Sequence, residues 1–285
     1  MTAGGAAMTP GCGRPSAIPG APALAAWEWG EPGGAPVLLL HSLAAHAHWW
    51  DWVAPSWART RHVVALDFRG HGASGRAAPP AYGFADHAAD AARALETLGP
   101  GRAIVVGHSL GAYVGALVAA TRPERVAALV IADMLTGWSD ELAAFARRQG
   151  ERPAPEFPSL EETVARFRLQ PPEPDVPAER VRHLAEAGSV PTASGGRRLA
   201  FDPAVFLHPP IDPWPFLGAI ACETVVVRGE RSAFMTREAA EGVARVIPRA
   251  RLLEIAGAGH HLVVGAAEAF SATVGDALGL TVPPG

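Results

Sequence analysis

A serine between two glycines is the residue of this chain best placed for nucleophilic chemistry. Residues 107–111 read GHSLG, with the apolar run Ala103–Val106 before them and a helix-compatible run of small residues after them. A sharp strand-to-helix turn of this kind needs small residues two positions before and two after the serine. Ser109 is therefore predicted to be a nucleophile raised above the end of a strand. The Leu110 N–H, at the helix start, is predicted to bind a developing oxyanion.

A serine hydroxyl needs a base to remove its proton, and the sequence GAGHH at residues 257–261 offers two imidazoles. The last apolar run, RLLEI, leads into this glycine-rich loop, which lets a side chain reach back over the end of a sheet. We predict that His260 is the base because it directly follows the Gly-Ala-Gly turn. His261 is the alternative.

Short aliphatic runs alternate with helix-like segments along most of the chain, a pattern typical of a parallel sheet with crossover helices. The runs end in polar or glycine-containing loops, and ligands bind at such strand ends in open α/β sheets. The fold class is therefore predicted to be α/β. The predicted strands are Val37–Leu40, His62–Leu66, Ala103–Val106, Ala127–Ile131, Thr224–Val227 and Arg251–Ile255.

The alternation pauses over residues 134–220, where amphipathic helical segments are separated by proline-rich links. We predict a helical cap here, inserted after strand 6, and a core formed by residues 23–133 and 221–285. Because the insertion starts beside the strand ends, a lid over the substrate is favoured over a subdomain that only stabilises the fold. Residues 1–22, rich in Gly, Ala and Pro, are predicted to be a flexible N-terminal extension.

Four motifs occur in one order: HSLAAHAHWW, DFRGHGAS, GHSLG and GAGHH. Over roughly residues 24–280 the chain resembles the serine-dependent α/β-hydrolase family, of the esterase or lactonase type with a helical lid. The resemblance implies a mostly parallel sheet flanked by helices, a Ser-acid-His triad and no cofactor. It also implies hydrolysis of an ester, lactone, thioester or activated carbon–carbon bond.

Two of these motifs are expected to shape the site without taking part in proton transfer. In the first, the Leu43 N–H is the expected second oxyanion donor, and Ser42 stands where the family usually has glycine. In the second, Asp67, Arg69 and His71 are interpreted as a hydrogen-bonded structural turn and not as catalytic groups.

The acid of the triad is missing from its usual position. After the strand TVVVRG the family most often has aspartate three residues beyond the glycine, and this chain has Ser232. Asp133 is the predicted acid because it ends the preceding strand, which should adjoin the strand that leads to Ser109. Glu230, in the usual loop but two residues early, is the alternative, and a site without a working acid is a third possibility. The non-catalytic interpretation of Asp133 is a helix N-cap.

The main prediction is cleavage of a hydrophobic ester or lactone through a serine acyl-enzyme. His41, His108, Trp49 and Trp50 are the predicted substrate-binding residues, although core packing explains such tryptophans equally well. A carbon–carbon bond hydrolase or a cofactor-free lyase is the alternative on the same fold. A ligand receptor or pseudoenzyme with slow turnover is the alternative outside enzymes.

The composition of the chain limits its possible domain number, partners and metal sites. A chain of 285 residues that is 49% hydrophobic fits one large domain. The net charge is −4 and the arginines are scattered, so a nucleic-acid partner is not expected. No apolar run approaches about 20 residues and the N-terminus lacks a signal pattern, so a cytoplasmic protein without a membrane partner is predicted. Cys12 and Cys222 show no ligand spacing, so neither a disulfide framework nor a metal site is predicted.

Overall fold

The computed structural model of the protein describes residues 11–32, 35–78, 80–208 and 212–280. Within these ranges the strands form one large sheet and one small sheet. They are β1 Arg14–Ile18, β2 Leu24–Trp29, β3 Val37–Leu40, β4 Val63–Leu66, β5 Ala103–His108, β6 Val126–Ala132, β7 Glu156–Phe157, β8 Ser189–Pro191, β9 Arg197–Leu199, β10 Glu223–Gly229 and β11 Ala250–Ile255.

The large sheet has the strand order β1-β2-β4-β3-β5-β6-β10-β11. All neighbours from β4 to β11 pair in parallel, and β1 and β2 add an antiparallel edge. The central strands are buried on both faces, as their continuous aliphatic sequences predict. Because β6 lies between β5 and β10, the loops that follow these three strands meet at one edge of the sheet.

Helices cover both faces of the sheet, and each face has its own apolar core. One core includes residues of the helices Phe84–Thr97, Leu110–Thr121 and Arg237–Val246, and the other includes residues of Ala54–Trp57, Leu262–Gly265 and Ala267–Leu278. No described helix is long and apolar enough to cross a membrane. The helices are α1 Ala54–Trp57, α2 Phe84–Thr97, α3 Leu110–Thr121, α4 Asp140–Gly150, α5 Leu160–Arg166, α6 Ala178–Ala187, α7 Trp214–Leu217, α8 Arg237–Val246, α9 Leu262–Gly265 and α10 Ala267–Leu278, with 3-10 helices at Ala47–Trp50 and Pro203–Leu207.

This architecture confirms the predicted α/β fold class, but the predicted N-terminal extension is wrong for part of its length. β1 pairs antiparallel with β2, from Arg14 opposite Glu28 to Ile18 opposite Leu24. Pro15 is tolerated in β1 because this strand is at the edge of the sheet, where only one side forms hydrogen bonds. Residues 1–10 of the predicted extension lie outside the described residues.

The segment predicted as a helical cap contains a small sheet besides its helices. Its strands, in the order β7-β9-β8, are antiparallel and only two or three residues long, too short to give a visible alternation. The segment is attached to the loop after β4. There the Tyr82 hydroxyl donates to Asp202 at 2.9 Å, and the Gly72 N–H donates to the Ala200 carbonyl at 2.6 Å.

Candidate active site

Ser109 occupies a strained turn between β5 and α3. Its φ and ψ are 53° and −113°, a conformation that side chains rarely adopt. A Cβ atom on Gly107 would lie 2.1 Å from the Gly111 carbonyl oxygen, and one on Gly111 would lie 2.1 Å from the Leu40 carbonyl oxygen. The backbones therefore approach so closely that only glycine fits at these two positions, as the spacing of the motif predicts.

This close packing predicts a large effect of Gly111→Ala on stability. The added methyl group must push α3 away from β3, so we expect the free energy of unfolding to fall by about 2 kcal/mol or more. Urea unfolding measures the loss. Gly101→Ala is the matched control, since nothing lies within 4 Å of its Cβ position. Equal stability of the two variants would contradict the packing described for the turn.

His260 and Asp133 form a buried hydrogen-bonded pair. The His260 Nδ1–H donates to Asp133 Oδ1 at 2.8 Å, and both side chains are almost fully buried. Burial raises the pKa of Asp133 to about 6 and lowers the pKa of His260. The imidazole is thus neutral at rest, with Nδ1 protonated and Nε2 free to accept a proton.

Two further donors hold the Asp133 carboxylate. The Ser232 hydroxyl donates to Oδ1 at 2.5 Å, and the Gly229 N–H donates to Oδ2 at 3.0 Å. These bonds fix the carboxylate and oppose the effect of burial on its pKa. Ser232, which stands at the family's usual acid position, therefore contacts Asp133, the predicted acid, which follows the neighbouring strand β6. Sequence reasoning did not foresee this contact.

The alternative acid, Glu230, and the alternative base, His261, make other contacts. Glu230 is exposed, and its carboxylate accepts from the Gly257 N–H at 2.7 Å. His261 Nε2 lies 3.0 Å from the Pro171 carbonyl oxygen, so the ring of His261 points toward the cap. Among the described residues, Asp133 is thus the carboxylate that is hydrogen-bonded to the ring of His260.

The two predicted oxyanion donors come after the neighbouring strands β5 and β3. Leu110 begins α3 directly after the serine, and Leu43 follows β3 in the adjacent loop. Both residues line the same cavity as Ser109. The described residues supply no acceptor for the N–H group of either leucine, so both are free to bind a substrate oxygen.

His71 holds the loop that contains Leu43. Its Nε2 accepts from the Ala44 N–H at 3.1 Å, and its Nδ1–H donates to the Arg69 carbonyl at 3.0 Å. Burial lowers the pKa of His71 to about 4, so the ring stays neutral and Nε2 remains an acceptor. The neighbouring Asp67 accepts from the Ala47 N–H at 2.6 Å. These contacts match the interpretation of this motif as a structural turn.

Backbone strain is concentrated at this site. Among the described residues other than glycine, a positive φ occurs at Ala44, Ser109 and Asp133. These residues belong to the loop after β3, the turn at Ser109 and the loop after β6. Strained backbone that clusters at one place is typical of functional sites, where it positions groups that the relaxed chain would not.

A cavity of about 520 Å³ lies over these residues. Its wall includes Ser109 and His260 from the core and mostly apolar side chains from the cap. Arg168 is the one formally charged residue in the described part of this wall, and it is exposed. The larger apolar members of the cap side include Leu135, Trp138, Leu142, Phe145, Leu169 and Phe206.

The predicted tryptophans have different positions. Trp49 lines the cavity and packs edge-on against His261, with ring centroids 5.3 Å apart. Trp50 is fully buried in the core beside Phe270 and does not line the cavity. The assignment of Trp50 to substrate binding is therefore corrected to core packing.

His41 and His108 are also corrected, because both are fully buried behind the cavity wall. His41 accepts from the Phe68 N–H at 3.0 Å and donates to the Ser42 carbonyl at 2.7 Å. The His108 Nε2–H donates to the His260 carbonyl at 2.8 Å. These two histidines fix the loops of the site instead of contacting substrate.

Comparison with known proteins agrees with the observed fold. A family model described as the alpha/beta hydrolase fold matches residues 35–266, so the chain belongs to the alpha/beta hydrolase family. Like the relatives below, it is a hydrolase of this fold.

Three similar proteins illustrate the range of these relatives. The 2-(acetamidomethylene)succinate hydrolase of Mesorhizobium japonicum is 29% identical over 242 residues, which cover 81% of this chain and 84% of that protein. A human serine hydrolase-like protein is 34% identical over 111 residues, which cover 39% of this chain and 55% of that protein. The crystal structure of E-2-(acetamidomethylene)succinate hydrolase superposes with a TM-score of 0.82 at 26% identity and covers 93% of this chain and 97% of that one.

Proposed function

We propose that this hydrolase cleaves the carboxylic ester or lactone of a hydrophobic small molecule through an acyl-enzyme on Ser109. The observation that carries the proposal is the buried His260–Asp133 hydrogen bond, formed by an imidazole that shares an apolar cavity with Ser109. A nucleophile, a base and a group that orients the base are the parts that acyl transfer requires.

The proposed reaction proceeds in two halves. Ser109 Oγ attacks the substrate carbonyl while His260 Nε2 takes its proton, and the N–H groups of Leu43 and Leu110 bind the oxyanion. The alcohol leaves with the proton from His260 and the acyl group stays on the serine. Water then attacks the carbonyl carbon of the acyl-enzyme, with His260 Nε2 again taking the proton. The bond between the acyl carbon and Ser109 Oγ breaks, the carboxylic acid is released and the proton returns from His260 to the serine. Asp133 keeps Nδ1 protonated and stabilises the imidazolium.

The wall of the cavity supports an uncharged substrate with apolar groups. Trp138, Phe145 and Leu169 contribute apolar surface, and burial of such surface against a ligand supplies binding energy without charge recognition. The related succinate hydrolase acts on a molecule with two carboxylates, whereas the described wall here offers the single exposed guanidinium of Arg168. This difference favours a hydrophobic ester or lactone over a dicarboxylate.

A substrate panel tests the proposal. Purified protein is assayed with p-nitrophenyl esters of short, branched and aromatic acids, with aliphatic lactones, with a 1,3-diketone and with 2-(acetamidomethylene)succinate. We expect turnover of the esters or lactones, with kcat/KM highest for branched or aromatic groups. Turnover of the diketone alone would indicate carbon–carbon bond hydrolysis, and binding without turnover would indicate a receptor. Preference for the dicarboxylate would contradict the proposed substrate class.

The pH dependence of kcat/KM is expected to report Asp133. Because only the ionised carboxylate orients and stabilises the imidazolium, activity should fall as the pH is lowered through about 6, the raised pKa of Asp133. In Ser232→Ala the carboxylate loses a donor that favours its charged form. Its pKa should therefore rise further, and the midpoint of the acid limb should move up by about one pH unit.

Ser194→Ala is the control for this profile, since Ser194 is exposed in the turn between β8 and β9. Its acid limb should coincide with that of the wild type. An acid limb that does not move in Ser232→Ala would contradict the role given to this hydroxyl.

A further inference from the structure

A second group of chemically capable side chains lies outside the active-site cavity. We call it the Asp51 cluster; its members are Cys12, His48, Asp51 and His183. One oxygen of the carboxylate, Asp51 Oδ2, lies 2.9 Å from His48 Nδ1, 2.8 Å from His183 Nε2 and 3.6 Å from Cys12 Sγ. The donor atoms of all four residues lie within 4.8 Å of one another.

The centre of this cluster is buried and incompletely satisfied. The side chain of Asp51 is fully buried, yet its Oδ1 has no hydrogen-bond partner among the described residues. An unpaired carboxylate oxygen in the interior is costly unless another group compensates its charge. A cation bound beside Oδ2 would compensate that charge directly.

The donor set and its spacing fit one particular ion. A thiolate, two imidazoles and a carboxylate are the ligands that Zn²⁺ takes in closed tetrahedral sites. With bonds of about 2.0–2.3 Å, neighbouring ligands of such an ion lie about 3.3–3.6 Å apart. The observed separations from Oδ2, 2.8–3.6 Å, are within about 0.5 Å of this spacing, and the remaining separations, all within 4.8 Å, need to shorten by at most about 1.5 Å.

We propose that the Asp51 cluster is a structural zinc site. Binding deprotonates the Cys12 thiol, whose proton goes to solvent, and moves the proton of each imidazole to the ring nitrogen that does not face the ion. No co-reactant is needed. Cys12 is exposed, which gives the ion access from solvent.

The site would fasten the cap to the core. His183 lies on α6 of the cap, and His48 lies in the 3-10 helix that also contains the cavity residue Trp49. Cys12 lies two residues before β1, the edge strand of the large sheet. The Gly11 N–H donates to the Asp51 carbonyl at 3.1 Å, which fixes the cysteine segment over the cluster. One ion would thus join three segments that are far apart in sequence, and for this reason residue spacing did not reveal the site.

Cobalt titration of the full chain tests this proposal. Protein stripped with a chelator and dialysed is titrated with Co²⁺, whose bond to a thiolate gives a charge-transfer absorption in the near ultraviolet. We expect the band to saturate at one equivalent, to vanish on addition of Zn²⁺ and to be absent in Cys12→Ser. Zn²⁺ should also raise the Tm of the wild type but not that of Cys12→Ser.

Matched variants separate this site from its alternatives. Cys222→Ser removes the other, buried cysteine and should keep the band, whereas His183→Asn should weaken binding at least about tenfold. His108, His260 and His261 also lie close enough to share an ion, but they contain no thiol, so binding there would inhibit hydrolysis without the band. Absence of the band at a tenfold excess of Co²⁺, or its persistence in Cys12→Ser, would overturn the proposal. Neither result would bear on the chemistry at Ser109.

Discussion

Replacement of Ser109 by alanine is expected to lower kcat for the best ester of the panel by at least about 10⁴-fold. The variant keeps the cavity, the oxyanion donors and the His260–Asp133 pair, but no oxygen remains to form the acyl-enzyme. Any residual hydrolysis would come from water held by these remaining groups. Stopped assays at high enzyme concentration measure the loss, and KM should change little because the apolar wall is unaltered.

Loss of the nucleophile must be separated from loss of the fold. Ser109 adopts a positive φ, which costs serine and alanine about the same free energy. The urea midpoint of Ser109→Ala should therefore closely match that of the wild type. The exposed Ser194→Ala serves again as the control for activity. Wild-type activity in Ser109→Ala would contradict the proposed mechanism outright.

Replacement of Asp133 by asparagine is expected to lower kcat by about 10⁴-fold. Asparagine has nearly the same shape, but its neutral amide neither stabilises the imidazolium nor fixes Nδ1 in the protonated form. The Ser232 hydroxyl and the Gly229 N–H donate to different oxygens of the wild-type carboxylate, so one of these two donors would face the amide NH₂, which accepts no hydrogen bond. Steady-state kinetics across pH measures the effect, and the acid limb near pH 6 should disappear.

Glu230→Gln is the matched comparison, because it makes the same chemical change at the other candidate acid. Its carboxylate accepts one backbone hydrogen bond at the surface, so activity should stay within about threefold of the wild type. If Glu230→Gln were inactive and Asp133→Asn active, the assignment of the acid would be wrong.

A double variant that moves the carboxylate from position 133 to position 232 also tests the assignment of the acid. Ser232 Oγ lies 2.5 Å from Asp133 Oδ1, so an aspartate at position 232 would place its carboxylate close to the present one. The double variant Asp133→Ser/Ser232→Asp should have a kcat at least about tenfold higher than that of the single variant Asp133→Ser. No recovery would indicate that Asp133 acts through its own loop geometry as well as its charge.

The core and the serine turn were predictable because they depend on local patterns. β3, β5 and β6 are short aliphatic runs buried on both faces, and such runs have few alternatives to a parallel sheet. Gly107 and Gly111 reveal the turn since side chains at these positions would collide with backbone. The same reasoning could not reveal β1, whose edge position tolerates Pro15 and needs no apolar alternation.

The residues that surround the Ser109 turn were harder to predict, because contacts between distant segments determine them. Sequence position left Asp133 and Glu230 as candidates, and the order β5-β6-β10, together with the positive φ of Asp133, decides which of them meets His260. The burial of His41, His108 and Trp50 depends on how the loops after β3 and β5 fold back onto the core. Residue type alone could not show that His41, His108 and Trp50 lie behind the cavity wall whereas Trp49 lines the cavity.

Covalent labelling tests the central claim, that Ser109 is an activated nucleophile, most directly. The protein is treated with a fluorophosphonate, which phosphonylates serines activated by a neighbouring base, and is then digested with trypsin. The peptide of residues 103–125, which ends at Arg125 because trypsin does not cleave before Pro123, contains Ser109 as its only serine. We expect one phosphonyl group per chain, located on Ser109 by tandem mass spectrometry, with labelling strongly slowed in Asp133→Asn. An unlabelled chain, or a label on another residue, would contradict the mechanism.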